Sequence, residues 1–343
     1  MSGRVASLCG VTTPLLESAR IGPALGLDLR FKLEMCQPSG SYKDRFVAAE
    51  MELWRTRGAR ACVATSSGNT GAALAAWSAR AAMPCVILVS ETTPAGKLRP
   101  MLAYGARVVR VRGFVTSPTV TAQVFDKLER MAAEERIPLI VSAYRYCPEG
   151  MRGVEAIAHE LNEQRQGIDD VFVPVGGGGL FAAVCRGFRR SQAQLPRVHA
   201  VQPEGCPTVV SAFQEGRDSI LPVTSTTRIS GLSVPFDIDA SVALAELRAM
   251  GGRAIAIGDQ EVFDAQARLL REEGIWCEPA GAAALAGCLR AHREGWLAAG
   301  ASVICLVTGH GFKDPDSLTQ ASGASEAATI TADQIGPALF EPK

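Results

Sequence analysis

The chain has no excess charge of either sign. In 343 residues, 35 Lys and Arg stand against 35 Asp and Glu, and no dense Lys/Arg tract supplies a local field for a polyanion. Nucleic acid is therefore not an expected partner. Long apolar runs are also lacking. The longest, such as Val86 to Val89 and Val303 to Val307, fall far short of the ~20 residues a membrane helix requires, so no membrane partner is expected. Met1 to Gly10 has neither the basic start nor the continuous apolar core of a signal peptide, which sets the expectation of a cytoplasmic protein. Histidine is scarce, at four residues, and none of the ten cysteines forms a Cys-x-x-Cys pair or sits at ligand spacing from a His. No metal site is expected. Scattered from Cys9 to Cys305, the cysteines read as reduced, buried small hydrophobes rather than as a disulfide scaffold.

What is present is an ordinary globular composition, 47% hydrophobic and 20% charged, in a chain long enough for one large domain or two moderate ones. From Ala61 onward, short β-branched runs alternate with longer Ala-rich stretches, the pattern of an α/β protein with a largely parallel sheet. The expected strands are Ala61 to Thr65, Cys85 to Ser90, Arg107 to Arg112, Leu139 to Ser142, Val171 to Val175, Val198 to Gln202 and Ser302 to Val307. Most are continuous apolar runs, which argues for helices on both faces. Helices are expected at Asn69 to Ala82, Lys97 to Tyr104, Ala122 to Glu135, Gly150 to Gln166, Leu180 to Ser191, Asp259 to Glu273 and Gly281 to Arg293. The tail after Asp314, poor in large apolar residues, is expected to be irregular or to pack as an arm on a neighbour.

Four segments could carry chemistry. The first is Val171 to Val175 followed by Gly176, Gly177, Gly178 and Gly179 and then Leu180 to Val184: strand, four glycines, helix. Without Cβ atoms, the backbone N–H groups can curl around an anion at the positive end of the following helix, which makes a phosphate cup. Phe181 spoils the dinucleotide fingerprint, and the Walker pattern lacks its Gly-Lys-Ser/Thr. In the second, Pro38-Ser-Gly-Ser-Tyr-Lys43-Asp-Arg45, a turn leads into a helix whose early residue is Lys43. The positive end of a helix dipole favours the neutral amine, which can form a Schiff base, although a lysine in this place also fits a solvated surface charge. The third, Thr65-Ser66-Ser67-Gly68-Asn69-Thr70-Gly71, opens a helix with hydroxyls and N–H groups suited to a small carboxylate, or merely to capping. The fourth is Thr308-Gly-His-Gly-Phe-Lys-Asp-Pro315, at the end of a strand where open α/β sheets bind ligands.

Together and in this order, with Glu278-Pro-Ala-Gly281, these segments resemble the fold type II pyridoxal-phosphate enzymes, from about Thr12 to Pro315. Within that family the Lys43 and Thr308 segments look most like threonine synthase. The resemblance implies two three-layer α/β domains of the tryptophan synthase β-like architecture. Residues 1–45 with 154–343 would form the large cofactor domain, and 46–153 a small mobile domain carrying the Ser-Gly-Asn-Thr loop. It implies pyridoxal 5'-phosphate held by Lys43 as an internal aldimine, Asn69 on its 3' oxygen, Gly176 to Gly179 on its phosphate and Thr308 at its ring nitrogen. A neutral hydroxyl there makes the ring a weaker electron sink, suited to elimination and replacement.

The implied activity is that of a carbon–oxygen lyase converting O-phosphohomoserine and water to threonine and phosphate through an external aldimine. Substrate would be held by Ser66, Ser67, Gly68, Thr70, Lys97 and Arg145. A homodimer is the family expectation. One position departs from the pattern. Cys147 falls where the family supplies a phosphate-binding Arg, with Arg145 two residues upstream. That leaves open a β-elimination or β-replacement enzyme, such as a Ser/Thr dehydratase or an O-phosphoserine-using relative like cysteate synthase. Whether Arg145 or Cys147 faces the site is equally open.

Overall fold

The computed structural model describes residues 11–135, 137–191, 194–317, 329–332 and 335. The tail expected to be irregular or to form an arm lies largely outside these residues. Two sheets organise the described chain. The larger contains β1 (Leu15–Glu17), β2 (Asp28–Lys32), β7 (Asp170–Pro174), β8 (Arg197–Pro203), β9 (Ala254–Ile257) and β10 (Ser302–Leu306), in the order β1-β2-β10-β7-β8-β9. Only the β1–β2 pair is antiparallel. Between β2 and β7 the chain departs to build a parallel four-stranded sheet from β3 (Cys62–Ala64), β4 (Cys85–Ser90), β5 (Arg107–Val111) and β6 (Leu139–Ile140), ordered β5-β4-β3-β6. The α/β, two-sheet expectation holds.

The helices are α1 (Ile21–Leu25), α2 (Lys43–Thr56), α3 (Asn69–Arg80), α4 (Ala95–Ala103), α5 (Pro118–Glu135), α6 (Pro148–Gln164), α7 (Gly179–Arg190), α8 (Thr208–Gln214), α9 (Ala240–Ala249), α10 (Asp259–Glu273) and α11 (Pro279–Arg293). One apolar cluster runs from the four-stranded sheet across α2, α6 and α7 to one face of the larger sheet, through Phe46, Leu74, Ile87, Ile157, Val171 and Phe181. A second fills the other face beneath α10 and α11 with Phe31, Phe172, Leu269, Leu285 and Val303. Both faces of the larger sheet are thus covered, as its continuous apolar strands require. Helices α2 and α6 pack together within the core that joins the two sheets.

Strands β1, β2 and β9 and helices α1, α8 and α9 were not anticipated from the sequence. The reason is plainest for β2, whose Lys32 is fully buried although charged. Its ammonium donates to Glu160 Oε2 at 2.5 Å, to Gln164 Oε1 at 2.9 Å and to the Thr13 carbonyl at 2.9 Å. A tertiary partner 128 residues away makes burial tolerable, and nothing local announces it.

Candidate active site

The Pro38 to Tyr42 segment turns sharply into α2. Gly40 adopts φ +86°, a conformation that disfavours side chains. Asp44, fully buried in the first turn of α2, fixes the bend by accepting from Ser39 N (3.1 Å), Ser39 Oγ (2.8 Å) and Trp77 Nε1 (2.6 Å). Burial pushes its carboxyl above the usual range, and these donors pull the other way. One residue earlier, Lys43 donates from Nζ to Ser142 Oγ at 2.9 Å and lies 4.5 Å from the Tyr42 ring centroid. One residue later, Arg45 is anchored in the interior by Glu34 (2.7 and 2.8 Å) and Glu160 (2.6 and 2.8 Å). The helix carrying Lys43 is therefore held by the two residues that follow that lysine.

The Lys43 turn lies against the Thr308 segment. Tyr42 N donates to the Thr308 carbonyl at 3.0 Å and His310 N to the Gly40 carbonyl at 2.9 Å, with Ser41 and Gly309 bridged as in an antiparallel ladder. Thr308 is almost wholly buried, and its hydroxyl has no hydrogen bond among the described residues. Asn69, first residue of α3, donates from Nδ2 to Glu278 Oε1 at 2.8 Å. Glu278 approaches so closely that a Cβ at Gly309 would lie 2.2 Å from its Oε1. Burial raises the Glu278 carboxyl, opposed by Lys313, Asn69 and Lys43. Three of the four segments thus converge at the C-terminal ends of their strands. In the Asn69 loop, Thr70 is buried, Ser66 and Ser67 are half-buried and Gly68 is exposed.

The four glycines complete the cluster. Gly178 has φ +97°, and a Cβ there would lie 2.4 Å from the Asp239 carbonyl oxygen; one at Gly179 would lie 2.9 Å from Asp239 Oδ2, and one at Gly176 3.0 Å from the Gly231 carbonyl. The backbone N–H groups of Gly176, Gly177 and Gly178 meet no acceptor among the described residues, and no side chain caps α7. Such a cradle of free donors at a helix start is suited to an anion.

Two expected substrate residues stand apart. Lys97, in the first turn of α4, is exposed, and its side chain makes no hydrogen bond or ion pair among the described residues. Arg145 is exposed, its guanidinium 5.7 Å from the Tyr146 ring centroid. Neither side chain contacts Lys43 or the glycines. Cys147, in contrast, is buried, with Sγ 3.6 Å from the Leu139 carbonyl, and burial pushes the thiol up to about 12. It is a packing residue. Sequence reasoning assigned no role to Ser142, Asp239, Glu278 or Lys313. For Glu278 a signal existed, since a Pro at the first helical position follows it.

A family profile described as "Pyridoxal-phosphate dependent enzyme" matches residues 6–309. The chain belongs to that family. Among curated relatives of this pyridoxal-phosphate dependent enzyme, a threonine synthase of Methanocaldococcus jannaschii is 33% identical over 93% of this chain and 79% of its own. One from Bacillus sp. strain ULM1 is 32% identical over 95% and 90%. Among solved structures, threonine deaminase isoform 2 of Solanum lycopersicum superposes with a TM-score of 0.78 at 22% identity, covering 92% of this chain and 88% of that one. Maize serine racemase gives 0.76 at 24%, covering 91% and 92%. At these identities the superpositions bear on the fold alone.

The enzyme's cofactor is accordingly pyridoxal 5'-phosphate, and its family chemistry is that of a lyase. The residues present fit that group. The free N–H donors of the glycine cradle answer its phosphate, Lys43, bonded to the neighbouring loop at Ser142, answers its aldehyde, and the unpartnered Thr308 hydroxyl suits a ring nitrogen. Among the described residues no cluster of His, Cys, Asp and Glu suited to a metal is present, and no helix is long and apolar enough to cross a membrane.

Proposed function

We propose that the protein is a lyase of threonine synthase type, acting on O-phosphohomoserine and water to give threonine and phosphate. The observation that carries this reading is the backbone pairing of the Lys43 turn with the Thr308 segment. With the Asn69–Glu278 bond, it brings the Lys43, Thr308 and Asn69 segments together, and the reading assigns them to one cofactor site with the glycine cradle. The threonine synthases among the relatives support the substrate class.

Bound pyridoxal phosphate supplies an electron sink for charge that develops at the substrate's α carbon. Lys43 would hold the cofactor, and its amine would take and return protons at the substrate. Ser142 holds Nζ in place. Gly176 to Gly179 would hold the cofactor phosphate, Asn69 its 3' oxygen, and Thr308 its ring nitrogen without contributing a charge. Ser66, Ser67, Gly68 and Thr70 receive the substrate carboxylate at the start of α3. Lys97 and Arg145 supply the cations for the leaving phosphate when residues 46–153 close as a mobile unit, which also excludes water. Helices α2 and α6 span the two limits of that unit and serve as its hinge. A cytoplasmic homodimer is the form in which we expect it to work.

One observation favours a second reading. Because Cys147 is built into the core, the position that gives relatives a phosphate-binding Arg contributes no charge, which suits a β-elimination or β-replacement enzyme. Incubation with O-phosphohomoserine, O-phosphoserine, serine and threonine, scored by mass spectrometry, separates the two. Threonine and phosphate from O-phosphohomoserine alone sustain the first reading. A 2-oxo acid or phosphate from another substrate, with O-phosphohomoserine untouched, replaces it by the second.

A further inference from the structure

We propose that Asp239 is a positioning residue that sets the spacing between the glycine cradle and the loop facing Lys43. It stands just before α9, is 1% exposed, and bonds in two directions. Its backbone N–H donates to the Gly177 carbonyl at 2.9 Å, while its carboxylate accepts from Tyr144 N at 2.7 Å and Arg145 N at 3.3 Å. The cradle closes around it, with the sites of missing Cβ atoms at Gly178 and Gly179 lying 2.4 Å from its carbonyl oxygen and 2.9 Å from Oδ2.

The loop from Ser142 to Cys147 depends on this carboxylate. Its far end is self-supporting, since Tyr146 N (3.2 Å) and Cys147 N (2.9 Å) both donate to the Ala143 carbonyl. Tyr144 N and Arg145 N have no backbone acceptor, so Asp239 satisfies both donors. Two residues before Tyr144, Ser142 receives the Lys43 ammonium at 2.9 Å. A single residue, bonding through its backbone on one side and its carboxylate on the other, thus links the cradle to the residue that aims the reactive amine, joining the larger sheet to a loop that leaves the four-stranded one. Charge-assisted bonds to two adjacent N–H groups give a stiffer link than a neutral cap would. This deepens the proposed function, on which it rests for the roles of the cradle and Lys43.

The test uses the full chain, with and without pyridoxal 5'-phosphate. In Asp239→Asn the amide retains one accepting oxygen and presents an N–H₂ to the other donor. Hydrogen exchange of the peptide containing Tyr144 and Arg145 is expected to accelerate about tenfold, as befits loss of a hydrogen bond to a charged group. The rate of pyridoxal phosphate uptake at Lys43, trapped with borohydride, is expected to fall by a similar factor. Ser142→Ala should slow uptake without altering exchange at Tyr144. The double variant should be no slower than the slower single one, because both act through one contact.

Multiplying uptake defects overturn the inference, and so does unaltered exchange at Tyr144 and Arg145. Acceleration that spreads equally to peptides from β8 marks a general loosening and overturns it too. A wild-type chain that takes up no pyridoxal phosphate at Lys43 refutes the proposed function instead, and the exchange comparison still decides whether Asp239 clamps the loop.

Discussion

Trp77 donates its indole N–H to Asp44 Oδ1 across 2.6 Å, tying the helix that begins at Asn69 to the helix that begins at Lys43. Both helices begin at segments assigned to the proposed site, so this bond helps fix one relative to the other. Trp77→Phe keeps the ring's bulk and removes the donor, leaving a buried carboxylate oxygen short of a partner. The expected loss in urea unfolding is about 1–3 kcal/mol. Weaker pyridoxal phosphate binding should accompany it, read by titration of the apoenzyme.

Glu50 gives the sign of a pH effect. Its buried carboxylate accepts from Gly150 N at 2.8 Å and Trp54 Nε1 at 2.9 Å, yet burial still raises it above its ordinary value. A raised carboxyl contributes stability that is fully present below the unfolded value, about 4.3, and is lost as pH climbs through the folded one. Glu50→Gln removes that titration. The stability of the variant relative to wild type is therefore expected to improve from mildly acid to mildly alkaline pH, compared by urea melts at each end. A variant that loses stability relative to wild type as pH rises would contradict the assignment.

Gly178 is constrained twice, by a φ of +97° and by the Asp239 carbonyl 2.4 Å from where a Cβ would stand. Gly178→Ala must shift backbone rather than a flexible side chain. The expected cost is at least about 1–3 kcal/mol of stability, with loss of pyridoxal phosphate uptake. For the stability cost alone, Gly177→Ala is the control, since its Cβ would meet only ordinary contacts with Val234 and Ile238 at 3.6 and 3.7 Å.

Arg45, Glu34, Glu160 and Lys32 form a buried network of two cations and two anions. Arg45→Met leaves two carboxylates facing Lys32 alone, and a loss of about 3–5 kcal/mol is expected in calorimetry or urea unfolding. Restoring neutrality with Glu34→Gln in the same chain should recover part of it. No recovery would show that packing around the guanidinium matters more than its charge.

How far this was legible in the sequence can be judged from particular residues. The bounds of β4 and α10 were readable to the residue: Cys85 to Val89 is an unbroken apolar run closed by Ser90, and Gly274, at φ +68°, ends α10 as C-terminal glycines do. The convergence of Lys43, Asn69 and Thr308 was legible through family order, not through any local pattern. Asp239 was not anticipated, although an Asp before an Ala- and Leu-rich run is a helix start signal. Its partners were beyond reach, because it takes backbone donors 94 and 95 residues away and a backbone N–H looks the same in every residue type. The fate of Cys147 was hidden for a similar reason, since only the packed core shows which way the β6–α6 loop turns.

The position of β10 bears on how the enzyme comes into being. This strand, residues Ser302–Leu306, inserts between β2 and β7, two strands made far earlier in the chain. On the ribosome the four-stranded sheet can assemble once Ile140 has emerged, whereas the larger sheet must keep a strand-wide gap open until Leu306 is free. Thr308 follows directly behind, and the Lys43 turn docks on it. A nascent chain therefore carries Lys43, the proposed cofactor lysine, for most of synthesis without the segment it docks on, and on that proposal the capacity to hold pyridoxal phosphate arrives in one late event.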